Sequence, residues 1–144
     1  MKLFLSILLL LTSTLPMNPK INQNNTAELK PCPNSPNCVS TQEARKRKKM
    51  DPIAFTVSPD AAIQKLEQVI ATYSNATLVT KKDNYLHYTF KTKLFKFIDD
   101  VEFIIDREEK VIHFRSASRK GYSDFGKNKR RMKKIRKEVE ANNY

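Results

Sequence analysis

Three carboxylates fall within four residues of this chain, at Asp99, Asp100 and Glu102. Alternate side chains of a strand share a face, so Asp100 and Glu102 are expected to point the same way. Two guanidinium groups, those of Arg115 and Arg119, follow on the next segment and are expected within reach. Such a set could support acid–base catalysis, hold a ligand, or form a hydrogen-bonded lattice of ion pairs.

The segment from Arg115 to Asn128 is dense in polar side chains. It holds both glycines of the chain, Gly121 and Gly126, which indicates backbone conformations that other residues resist. It leaves a predicted strand and enters a predicted helix, whose first backbone amides could hold an anion. The candidate binding residues of the chain are Asp99, Asp100, Glu102, Arg115, Ser116, Ser118, Arg119, Gly121, Tyr122, Ser123, Asp124, Gly126, Asn128 and Arg130.

Three interpretations of this cluster stay open. Carboxylates opposite arginines often form a lattice that fixes a strand-to-helix crossover, and the same lattice could line a ligand site. Catalysis would need an acid and a base in different environments, and the sequence assigns no catalytic residue. No glycine-rich phosphate loop, metal-binding histidine pair or serine-nucleophile motif occurs, so we expect no cofactor and no metal. His87 and His113 are expected as surface residues or cross-strand neighbours.

The strands that must position these residues show apolar alternation, which is typical of half-buried antiparallel strands. About four to five strands are predicted, over residues 76–80, 85–91, 93–98, 101–105 and from 112 onward, with turns at 81–84 and 106–110. Residues 54–57 could be a strand or an extended lead-in. Across the last hairpin we expect Ile105 to pair with Ile112. That register places Glu102 opposite Arg115, and a slip of one residue would separate them.

One helix is predicted before these strands and one basic helix after them, which makes the fold class α+β. Ser58 can cap the first helix, with Pro59 at its first position. An apolar face with spacings of three and four follows, typical of a helix packed on a sheet. The second helix, over residues 127–141, has Met132, Ile135 and Val139 as a narrow apolar stripe.

The N-terminus predicts export. Residues 1–16 are predicted to be a signal peptide, because a lysine precedes an apolar block at residues 3–11 and small polar residues follow the block. The alternative is an uncleaved N-terminal anchor. The block is shorter than the roughly 20 residues of a membrane-spanning helix. Residues 17–30 are polar and rich in asparagine, which predicts a flexible leader. Residues 31–141 then form a single domain, in the periplasm, the envelope or the medium.

Cys32 and Cys38 lie six residues apart. In an oxidising compartment such a pair predicts a structural disulfide. Closing so short a loop contributes about 2 kcal/mol in the chain-entropy model. A metal site would need further ligands, and a redox site would need a closer pair on a thioredoxin-like unit.

The chain is strongly basic. Lys and Arg number 27 against 15 Asp and Glu, which gives a formal net charge of +12. The excess lies in a run at residues 45–49 and in ten residues from Arg119 to Lys137. Such surfaces favour polyanions. For an exported protein we expect an anionic polymer or a membrane surface as partner, and not nucleic acid. The alternative is a solvated face that keeps the protein soluble.

Three segments together resemble a known family. They are residues 32–40 (CPNSPNCVS), 97–103 (FIDDVEF) and 115–126 (RSASRKGYSDFG), and they resemble the family catalogued as domain of unknown function 1499. The resemblance runs from about Pro31 to Arg136. It implies the extent of the domain and the importance of these motifs, but no mechanism. The family tends to have Arg at the position of Lys129 and Glu at that of Lys133, so the last helix is more basic here.

Three functional hypotheses follow, in order of preference. The first is a non-catalytic exported or envelope module that binds an anionic partner through the basic helix and the crossover after Arg115. The second is a scaffold or assembly subunit of the cell envelope. The third is an enzyme that uses Asp99, Asp100 or Glu102 together with Arg115, Arg119 and Tyr122. The sequence sets no oligomeric state.

Overall fold

The computed structural model describes residues 28–141. The predicted signal peptide and the predicted leader up to residue 27 lie outside the described residues. At the end of the predicted leader, Leu29 is buried and its backbone N–H donates to the side chain of Gln42 at 2.7 Å. The elements are β1 (Cys38–Ser40), β2 (Ile53–Ala54), α1 (Pro59–Ala71), β3 (Ala76–Lys82), β4 (Tyr85–Lys91), β5 (Ile98–Asp106), β6 (Val111–Ser118) and α2 (Lys127–Glu140).

The strands form one antiparallel sheet. Its order is β1-β6-β5-β4-β3, and the short β2 also pairs with β6. The α+β class is therefore confirmed, with α1 before the four long strands and α2 after them. The sequence did not predict β1, and β2 overlaps at Ala54 the segment 54–57, which the sequence left open as a strand or an extended lead-in; the two strands are three and two residues long. They extend the sheet along the free edge of β6.

Both helices pack on one face of the sheet. The side chain of Ser58 accepts a hydrogen bond from the backbone N–H of Ala61 at 3.3 Å and caps α1, as predicted. The predicted stripe of α2 is buried, and it shares one core with α1. At the centre of this core lie Phe90, Phe103 and Phe114, all buried. Burying each of these rings contributes about 1.5–3 kcal/mol.

The register of the last hairpin is confirmed. Ile105 pairs with Ile112, and Glu102 pairs with Arg115. The predicted turn at 81–84 is wrong in its first half, because β3 continues through Lys82. Lys81 and Lys82 therefore belong to the strand and pair with Leu86 and Tyr85 of β4.

The strand predicted over residues 93–98 is wrong except for Ile98, where β5 begins. Residues 92–97 form a closed connection, in which the backbone N–H of Thr92 donates to the carbonyl of Phe97 at 2.8 Å. The N–H of Phe97 donates in turn to the hydroxyl of Thr92 at 2.9 Å. Lys96 adopts a positive φ of 55°, which ends any strand geometry there.

Antiparallel topology sends alternate connections to opposite ends of the sheet. The connection at 92–97 and the crossover at 119–126, between β6 and α2, share one end, which we call the crossover end. The turns at 83–84 and 107–110 lie at the other end. The predicted disulfide between Cys32 and Cys38 is present and closes the loop beside the crossover. Between residues 28 and 141, neither helix has the length and apolarity to cross a bilayer.

Candidate functional site

Strand alternation divides the predicted acidic cluster between the two faces of the sheet. Asp100, Glu102 and Arg115 point to the outer face, away from the helices. Asp99 points to the helix-covered face and is buried. The structure thus brings Asp100 and Glu102 together with Arg115 and Arg119, and places Asp99 in a separate network.

The outer face carries an array that we call the outer lattice, formed by Tyr85, His87, Asp100, Glu102, Arg115 and Arg119. The carboxylate of Asp100 accepts two bonds from Arg119, from Nε at 2.8 Å and from a terminal nitrogen at 2.9 Å. Nε2 of His87 lies 2.8 Å from the same carboxylate. Glu102 accepts from Arg115 at 3.1 Å and from the hydroxyl of Tyr85 at 2.8 Å. Each carboxylate is therefore shared between one arginine and one ring.

The electrostatics of the outer lattice stabilise the ionised form of Asp100 and the protonated form of Tyr85. The hydrogen bonds from Arg119 hold the pKa of Asp100 below its usual value, against the opposing effect of burial. Burial and the hydrogen bond to Glu102 raise the pKa of Tyr85. Asp100 thus stays ionised and Tyr85 stays protonated near neutral pH. Both shifts move the pKa values of Asp100 and Tyr85 away from neutral pH, whereas an acid–base catalyst works with a pKa near the working pH.

The helix-covered face carries a second array, which we call the inner network. It joins the disulfide loop, β5, β6, the crossover and α2, through Asn37, Asp99, Ser116, Ser118, Asp124, Asn128 and Arg131. The guanidinium of Arg131 donates to Asp99 at 2.6 Å, and the two side chains are 12% and 3% exposed. Arg131 also lies over the ring of Phe90, with its central carbon 4.6 Å from the ring centroid. This buried charge is therefore paired on one side and covered by an aromatic face on the other.

Asn128 is the hub of the inner network and is almost completely buried. Its side-chain oxygen accepts from Ser116 at 2.5 Å and from Arg131 at 2.7 Å. Its side-chain nitrogen lies 3.1 Å from the carbonyl of Asn37 and 2.8 Å from Asp124. All of the hydrogen-bonding capacity of this amide is used inside the protein, which gives Asn128 a structural role.

The crossover has a fixed backbone. Gly121 and Gly126 both have positive φ, at 86° and 74°, which explains why glycine occurs here. Phe125 also has a positive φ, 53°, which is rare for a bulky residue. Asp124 holds this conformation, since its carboxylate accepts from the backbone N–H of Gly126 at 3.0 Å and of Asn128 at 2.7 Å.

A cleft of about 160 Å³ lies between the two segments of the crossover end. Phe95 and Phe97 line one wall, and Gly121 and Phe125 line the other. The two phenylalanine rings of the first wall stack, with centroids 5.7 Å apart. The floor contains Asp99, whose carboxylate is already bound to Arg131. The cleft therefore has apolar walls at the surface and polar groups of the inner network beneath.

The outward face of α2 is cationic. Lys127, Lys129, Arg130, Lys133 and Lys137 are exposed and form no ion pair with any other part of residues 28–141. Lys120 extends this face onto the crossover. We call these six side chains the basic surface.

Several of these residues escaped the sequence analysis. Arg131 was one of many basic residues in the last helix, and its position one turn from the apolar stripe was the available signal. His87 is a cross-strand neighbour of the acidic residues, as predicted, but no motif marks Tyr85, which shares the outer face of β4 with it. The exposure of Phe95 could not be predicted, because the apolar run around it resembles a strand.

Within the described range 28–141, no group of three or more His, Cys, Asp or Glu side chains is placed to hold a metal ion. A family model described as "Protein of unknown function (DUF1499)" matches residues 28–139. That match spans all the elements of the fold except the last residue of α2. No curated protein matches the chain.

Proposed function

Given that this chain belongs to the DUF1499 family, which carries no assigned activity, we propose from its own geometry that it is an exported, non-catalytic module that binds an anionic partner. The binding surface is the basic surface of α2 and the crossover. The observation that carries this proposal is a cluster of exposed cations whose neighbouring carboxylates are all engaged elsewhere.

The engaged carboxylates can be followed one by one. Asp99 is bound to Arg131, Asp100 to Arg119, and Asp124 to backbone N–H groups at the start of α2. On α2 itself, Glu138 pairs with Lys134 and Glu140 pairs with Arg136, and neither of these two cations belongs to the basic surface. The positive charge of the basic surface is therefore not neutralised from within this part of the protein. Uncompensated charge of one sign attracts a polyanion and raises its rate of encounter.

The helical spacing supports one continuous site. The exposed cations of α2 lie on the side of the helix opposite Met132, Ile135 and Val139, which are buried. Packing of that stripe thus fixes the direction in which the cations point. A polymer or a charged surface can contact several of them at once.

The proposal is tested with a soluble acidic polymer, polyglutamate, titrated at a series of salt concentrations. Binding should weaken steeply as salt rises, because screening and counterion release both oppose it. Lys133→Gln should reduce the slope of log K against log salt by roughly 1. Lys82→Gln, at the opposite end of the sheet, is the matched control and should leave the slope unchanged.

Two results would contradict the proposal. One is the absence of binding at low ionic strength. The other is equal loss of affinity in the Lys82→Gln control, which would show that the net charge of the protein matters and the basic surface does not.

A further inference from the structure

Exposed apolar side chains are concentrated at the crossover end. Leu94 and Phe95, on the 92–97 connection, are 79% and 66% exposed. Tyr122 and Phe125, on the crossover, are 76% and 84% exposed. A soluble domain gains nothing in folding from rings held in water, and clustered exposed apolar groups mark interaction sites.

These side chains are held outward by ordered backbone. Two hydrogen bonds between Thr92 and Phe97 close the first connection. On the crossover, the N–H of Phe125 donates to Ser123 at 3.2 Å, and its carbonyl accepts from Arg130 at 2.8 Å. The peptide groups on both sides of Phe125 are thus fixed while its ring projects into solvent. Such a preformed arrangement lowers the entropy lost on binding.

Cations alternate with these rings. Lys93 and Lys96 flank Leu94 and Phe95 in sequence, and Lys120 precedes the crossover aromatics. Lys127 lines both the cleft and the adjoining depression that contains Lys93. No ion pair neutralises these four lysines within the described residues.

This composition fits a lipid surface better than a protein partner. The cores of protein–protein interfaces are depleted in lysine, whereas here lysines lie between the rings. At a bilayer surface, aromatic and aliphatic side chains enter the boundary of the acyl chains. Lysines meanwhile reach phosphate headgroups through their flexible stems.

We propose that the crossover end docks on a bilayer that contains anionic phospholipid. Phe95 and Phe125 enter the interfacial layer, and the neighbouring lysines contact the phosphates. This inference rests on the proposed anion-binding function and names its partner. It adds an apolar contribution that a soluble polyanion cannot use.

The test uses the absence of tryptophan from the chain. Phe95→Trp and Phe125→Trp each create a single fluorescent reporter in the full-length protein. Vesicles with anionic phospholipid should shift its emission to the blue, and brominated acyl chains should quench it. Val79→Trp reports from β3, where Val79 is also exposed, and should show neither effect. Each tryptophan reports only on its own surroundings, so the shift and the quenching measure insertion of the crossover end even where the N-terminus anchors the protein.

A second measurement tests the contribution of the rings. In a chain that carries Tyr122→Trp, replacing Phe95 and Phe125 by Ser should raise the lipid concentration for half-maximal shift at least about tenfold. The same two replacements should leave polyglutamate binding unchanged.

The outcomes separate the two proposals. If Phe125→Trp shows no shift with anionic vesicles while polyglutamate still binds, the membrane inference is wrong and the anion-binding proposal stands. An equal shift with purely zwitterionic vesicles would also overturn the role of anionic lipid. If polyglutamate fails to bind at low salt, the proposed function itself is wrong.

Discussion

Asp99 and Asp100 offer a matched pair of substitutions on adjacent residues. Asp99→Asn removes the charge that faces the buried guanidinium of Arg131, at 2.6 Å. Asp100→Asn removes the charge that faces Arg119, at 2.8 Å on the outer face. Both changes are isosteric, so neither creates a cavity. The structure predicts very different effects on stability.

The difference comes from burial of the partner. The side chain of Arg131 is 12% exposed, and an unpaired charge at such a site typically costs 3–5 kcal/mol. The amide oxygen of an introduced Asn can still accept one hydrogen bond, so we expect about 3 kcal/mol for Asp99→Asn. The side chain of Arg119 is 48% exposed and can rehydrate, so Asp100→Asn should cost at most about 1 kcal/mol.

Urea unfolding of the oxidised full-length chain measures both values. With a slope of about 1–3 kcal/mol per molar urea, Asp99→Asn should lower the midpoint by about 1–3 M. Asp100→Asn should lower it by less than about 1 M. Equal shifts for the two variants, or a larger shift for Asp100→Asn, would refute the division into an inner network that holds the fold and an outer lattice that contributes little to it.

Three further outcomes are expected. Ile135→Ala should lower the free energy of unfolding by about 2–5 kcal/mol, because Ile135 is fully buried. Leu94→Ala should change it by less than about 0.5 kcal/mol, because Leu94 is exposed, and urea titration measures both variants. Burial lowers the pKa of His113 from 6.5, so the unfolded chain binds this proton at a higher pH than the folded protein does, and the free energy of unfolding should fall as pH drops below about 6.5. In His113→Gln, the free energy of unfolding from urea titrations should change less between pH 5 and pH 7. Replacing Cys32 and Cys38 by Ser should cost about 2 kcal/mol in thermal or urea unfolding.

The α+β class, the cap of α1 and the hairpin register followed from the sequence because each depends on local chemistry. Ser58 followed by Pro59 is a helix start wherever it occurs in the fold. Pairing of Ile105 with Ile112 follows from the need to bury one face. The 92–97 connection could not be predicted in this way. Its apolar side chains share the composition of a strand, and that composition gives no sign of the hydrogen bonds between Thr92 and Phe97 or of the positive φ of Lys96, which make it a closed loop.

The candidate site was predictable in part. Alternation alone put Asp100 and Glu102 on one face, and the register brought Glu102 to Arg115. The partner of Asp99 was not accessible from the sequence, because Arg131 lies on a helix that packs back from beyond the crossover. Contacts between distant segments depend on how the helix docks, which local patterns do not encode.

Asp100 also separates the two functions considered for this end of the molecule. In the proposed anion-binding module, Asp100 only neutralises Arg119, which adjoins Lys120 of the basic surface. Removing its charge by Asp100→Asn should therefore tighten polyglutamate binding, by up to about fivefold, since one charge near an anionic surface contributes about 1 kcal/mol. If Asp100 instead contacted a ligand or a reacting group, the same substitution would weaken binding. The sign of the change, in a variant expected to keep its fold, decides between the two roles, and an unchanged affinity would place Arg119 outside the binding surface.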